Sequence, residues 1–170
     1  MFRINSFINL RTKTMIWLNI KELEKQLVDG VLSEREGFNY LLANMILFSV
    51  IPYLVGDRSD NYWLIFIQFV VDIFITVILV RATFDINNSG DNRDYFKRFL
   101  GLSFVTTVRL FIYLLIVLLP LEIIMHFVGK AGVVDKNAKD IFWLLLEIAT
   151  GIVYYFMLTG SFRRVNGKRQ

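Results

Sequence analysis

Val105-Thr106-Thr107-Val108-Arg109-Leu110-Phe111-Ile112-Tyr113 sets a guanidinium inside an otherwise apolar run. Residues 99–121 around it carry no other charge. As a helix, such a stretch rises ~34 Å, enough for the hydrocarbon core of a bilayer. Three more windows have the same character. Residues 37–56 carry no charge, 61–80 carry only Asp72 and 141–162 carry only Glu147. The pattern predicts an all-α integral membrane protein, a four-helix bundle with spans at about 37–56, 61–81, 99–121 (extending to 128) and 141–162.

Composition agrees. The chain is 55% hydrophobic with 16 Phe and a mean hydropathy of +0.52, where soluble domains sit at about 45–50% apolar. It has no cysteine, which excludes disulfides, thiol catalysis and cysteine-based metal sites. Its single histidine, His126, excludes any site that needs two. The pI near 9.4 does not signal nucleic acid, because the basic residues gather at the edges of the apolar windows rather than along one soluble face. Four spans put 14 of the 19 Lys and Arg residues on one side: six before the first window, four between the second and third, and four after the last. By the positive-inside rule both termini are expected in the cytoplasm, with the cell membrane as the location.

Upstream of the first span, residues 15–32 place Ile16, Ile20, Leu23, Leu27 and Val31 at helical spacing, with Lys21, Glu22, Glu24, Lys25 and Asp29 mostly on the other side. This predicts an amphipathic helix in the headgroup plane, anchored by Trp17, within an N-terminal segment 1–32. A helix docked on a partner protein has the same pattern. Ser33-x-x-Glu36 is a capping box that starts the first span and the transmembrane unit 33–162. The short loop after it predicts an antiparallel hairpin of the first two spans. Asp85-x-Asn87-x-Ser89-Gly90 imitates the opening of a calcium loop, but Phe96 stands where the bidentate Glu belongs, so residues 85–94 are expected to form a solvated turn. Pro120 predicts a kink in the long third span. Residues 163–170 form a basic tail.

The charges inside the spans are the candidate site. With the ends inside, Arg109 lies ~15 Å above the cytoplasmic boundary, Asp72 ~14 Å and Glu147 ~20 Å. A charge facing lipid costs at least ~3 kcal/mol, so these groups are expected to share the bundle interior. Polar neighbours at helical spacing extend the set to an intramembrane network of Asn44, Gln68, Asp72, Thr76, Thr106, Arg109, Tyr113 and Glu147. Glu122 and His126, one turn apart beyond Pro120, form a second pair at the outer interface, with a hydrogen-bonded role favoured over metal ligation. No catalytic set, nucleotide fingerprint, metal motif or cofactor site is visible, so an enzyme is not expected. The expected function is association in the lipid bilayer, as an accessory, assembly, regulatory or immunity-type partner, through a protein partner or self-association of transmembrane helices. The alternative is a homo-oligomeric channel or proton-coupled carrier that uses Asp72, Arg109 and Glu147.

Overall fold

A computed structural model describes residues 15–54, 61–130 and 136–167. Its five helices are α1 (Ile20–Val28), α2 (Glu34–Leu54), α3 (Tyr62–Ser89), α4 (Tyr95–Lys130) and α5 (Lys136–Gly167). Three of them contain segments long and apolar enough to cross a membrane: Tyr62–Ser89, Tyr95–Leu121 and Asn137–Gly167.

Local chemistry sets several of the boundaries. Asn19 caps α1 by accepting from the Glu22 N–H at 3.2 Å, and Asn61 caps α3 by accepting from the Trp63 N–H at 3.1 Å. The capping box at α2 is complete. The Ser33 N–H and hydroxyl both donate to Glu36 Oε2, at 2.7 and 2.8 Å, and the Glu36 N–H returns a bond to Ser33 Oγ at 3.2 Å. α4 continues unbroken through Pro120.

Two expectations about elements change. The helix expected over 15–32 forms only from Ile20 to Val28. The preceding segment instead folds onto α2, where Ile16 exchanges bonds with the Tyr40 hydroxyl, N–H to Oη at 3.0 Å and Oη–H to the Ile16 carbonyl at 3.3 Å. The expected loop at 85–94 is also shorter. α3 runs to Ser89, which leaves a turn from Gly90 to Asp94 in which Asn92 and Asp94 adopt positive φ of 49° and 44°. Residues 85–89 are therefore helical, which excludes the calcium-loop geometry.

The helices form an open row in the order α2, α4, α5, α3. α2 lies along α4 and α5 lies between α4 and α3, while α1 packs across α4 and α5. α3 meets α4 only briefly, and among the described residues α2 touches neither α3 nor α5. The hairpin expected of the first two apolar windows is therefore not the packing found. The physical reason lies in the polar and small residues. Asn44 of α2 donates to the Leu100 carbonyl of α4 at 3.0 Å, holding α2 there. On the other flank Gly151 of α5 admits Ile75, whose Cδ1 lies 2.9 Å from where a Cβ would stand.

The core is concentrated at one end, here termed basal, where α1, the α3–α4 turn and the end of α5 converge. Leu23, Leu102, Phe104, Val105, Leu158 and Phe162 are fully buried there. Phe104 stacks edge-on with Trp17 at 5.3 Å and lies tilted against Tyr40 at 5.7 Å. Toward the opposite, distal end the helices present Phe66, Phe69, Phe74, Ile116, Leu119 and Leu145 outward.

Candidate functional site

The charges within the long apolar helices separate into two places. On the α3–α5 seam, the Gln68 amide comes near the Glu147 carboxyl, and Asp72, one turn beyond Gln68, is close enough to act on Glu147 electrostatically. Gly151, one turn beyond Glu147, is the point at which Ile75 comes closest to α5, so the same close packing that joins the helices brings their carboxyls together. Asp72 and Thr76 are exposed at the edge of this seam, while Glu147 and Gln68 are half-buried.

Arg109 lies elsewhere. Its Nη2 donates to the Tyr113 hydroxyl one turn along α4, at 3.3 Å, and it borders a groove shared with Leu18, Asn19, Ile20 and Lys21 at the start of α1. None of the ion pairs among the described residues includes Asp72, Arg109 or Glu147. The reason is the order of the row. α5 stands between α3 and α4, and Arg109 is on the side of α4 that meets α1. Matching depth thus did not mean adjacency.

The other polar residues expected in the network also divide. Asn44 is buried and donates to the Tyr40 carbonyl at 2.8 Å as well as to Leu100. Thr106 is buried in α4, whereas Tyr113 is exposed. Glu122 and His126 belong to α4, but their side chains lie outside the described residues.

The densest polar chemistry sits at the basal end, in residues the sequence reading did not single out. Arg98, 2% exposed, donates from Nη1 and Nη2 to the two carboxylate oxygens of Asp91, at 2.5 and 2.6 Å. The same Nη1 reaches Asn87 Oδ1 at 2.9 Å and Asn166 Oδ1 at 2.8 Å. Asn166 then donates to the Ile86 carbonyl at 2.9 Å. One guanidinium therefore ties together the end of α3, the turn, the start of α4 and the end of α5. Gly90 is required beside it, because a Cβ there would stand 2.7 Å from Asn166 Cγ. The turn itself is exposed at Gly90, Asn92, Arg93 and Asp94, as expected of a solvated turn, while the half-buried Asp91 ties it to a cluster on the flanking helices.

A second clamp joins α1 to α5. Glu24, 1% exposed, accepts from Arg164 Nε at 2.9 Å and Nη2 at 2.7 Å, and Nη2 also donates to Ser161 Oγ at 2.7 Å. Glu24 is thus on the buried face of α1, not on the polar side expected for it. The signal was present: at 100° per residue, Glu24 projects 40° from Ile20 and 60° from Leu27, on the flank of the buried stripe. Arg163 and Arg164, expected in a tail, are helical residues of α5. A third contact, Lys97 to Glu34, links α4 to the start of α2.

No protein-family model matches the chain, and no curated protein or solved structure matches it either. The class rests on the molecule itself: among the described residues it is all-helical, with three helices long and apolar enough to cross a membrane.

Proposed function

We propose that this chain is a small multi-pass protein of the cell membrane that acts by association with a protein partner or a second copy of itself. In this reading α2 supplies a fourth span, both termini are cytoplasmic and α1 lies near the inner face, which accords with the distribution of Lys and Arg. The observation that carries the reading is Asp72. It is exposed at the edge of the α3–α5 seam, with Thr76 beside it and the exposed Phe69 and Ile73 on the adjoining outer flank of α3. An ionisable side chain directed at lipid costs at least ~3 kcal/mol, and covering this face with another helix bearing a donor removes that cost.

The test is a pull-down of tagged protein from native membranes in mild detergent, with mass spectrometry of what co-purifies. A stoichiometric partner, or a defined homo-oligomer, that is lost on Asp72→Leu supports association. Monomeric protein with nothing in stoichiometric amount counts against it. The adjacency of Gln68, Asp72 and Glu147 favours one second reading, a proton-coupled carrier or channel built from several copies. Proton flux into liposomes that is abolished by Asp72→Asn would replace the first reading with this one.

A further inference from the structure

The groove beside Arg109 has a composition that the association reading does not use. Its walls come from two elements: Leu18, Asn19, Ile20 and Lys21 at the start of α1, and Arg109, Ile112 and Tyr113 on α4. It is open, of about 420 Å³. Two cations, Lys21 and Arg109, border the same space, and the described ion pairs include neither of them. The nearest acid in sequence, Glu22, accepts from Gln26 Nε2 at 3.1 Å on the exposed surface of α1 instead.

Bringing two positive charges to one groove is unfavourable without an anion between them. Arginine remains charged and its fork suits a phosphate, while lysine contributes a mobile point charge. The Tyr113 hydroxyl, held by Arg109 at 3.3 Å, adds a neutral donor. Leu18 and Ile112 are exposed at 52% and 37%, so the same groove also offers apolar wall. Helical side chains lean toward their own N-terminus, which directs the long Arg109 stem from mid-span toward the basal end and the level of Lys21. Trp17, exposed and stacked on Phe104, marks that level as an aromatic interface position.

The geometry points to an anionic phospholipid site between the start of α1 and α4, in which Lys21 and Arg109 hold the headgroup phosphate and Leu18, Ile20 and Ile112 receive the adjoining acyl chain. Phosphate alone satisfies the cations, but the apolar walls and the position inside an apolar helix select the lipid. The site is separate from the α3 face, and its fate does not depend on what covers Asp72.

Native mass spectrometry of the full chain in mild detergent tests it, with phosphatidylglycerol, phosphatidylcholine or inorganic phosphate added in turn. One phosphatidylglycerol per chain should be retained in preference to phosphatidylcholine. Arg109→Gln and Lys21→Gln should each lower that retention about fivefold, the worth of one cation near a headgroup. Lys25→Gln, which alters an exposed lysine outside the groove, should leave it unchanged. Because Lys21 is exposed, its variant decides the matter even where Arg109→Gln fails to fold. Equal retention of the two lipids, or retention indifferent to both substitutions, overturns the proposal. Displacement of phosphatidylglycerol by an equal concentration of inorganic phosphate also overturns it, by making the site one for free anions.

Discussion

The basal and distal halves of this molecule hold their polar groups in opposite ways. At the basal end every buried charge has a fitted partner: Arg98 lies against Asp91, Asn87 and Asn166, and Glu24 lies against Arg164. Farther along the same helices Asp72 stands open and Arg109 has only a tyrosine hydroxyl among its described partners. The basal half also contains the interlocked aromatic and aliphatic core, whereas the distal half offers large apolar side chains outward. The difference separates two tasks. One end fixes how the helices sit together, and the other leaves surface and charge uncommitted.

The sharpest way to break this contrast is to remove a basal charge. Arg98→Met strands a carboxylate that is mostly enclosed, and should cost about 3–5 kcal/mol in reversible unfolding from mixed micelles. Adding Asp91→Asn to it should recover a large part of the loss. If the single variant unfolds like the parent protein, the cluster does not hold the fold.

Next in size is the turn. Gly90→Ala forces a Cβ against the Asn166 side chain and should cost about 1–3 kcal/mol by the same measurement. Glu24→Ala should cost less, about 1 kcal/mol, because the freed Arg164 is half exposed and remains hydrated. Its effect should be local, seen as faster amide exchange along α1 with α3 unchanged.

The smallest effect sharpens the contrast from the distal side. Asp72→Asn and Arg109→Gln should be additive in a double-mutant cycle, with a coupling of less than about 0.5 kcal/mol, because the two side chains face different neighbours. A coupling of several times that size would mean that the two charges meet after all.

The sequence revealed the helices well, and their neighbours poorly. Charge-free windows, the Ser33–Glu36 box and the long run around Pro120 are local signals, and each corresponds to a helix or a helix start. What spacing does not encode is which helix stands beside which. Asp72 and Arg109 are expected at one depth, yet α5 separates their helices. For the basal clusters the missing step was azimuth. Arg98 shares a helical face with Leu102 and Val105, both fully buried, and Glu24 with Ile20 and Leu27, so each was a charge on an apolar stripe. Charges at span edges carry an orientation signal and a packing role at once, and the sequence pattern displays only the first.

The order of the row has a consequence for how the chain is made. Of the four helices in the row, α2 and α3 are synthesised first, yet they end as the two outer members, each resting on a helix synthesised later. Neither has its permanent neighbour when it is made, and α3 must wait for α5. Both basal clamps are then completed by the last turns of that final helix, through Arg164 and Asn166. Assembly therefore runs inward from the flanks and locks late.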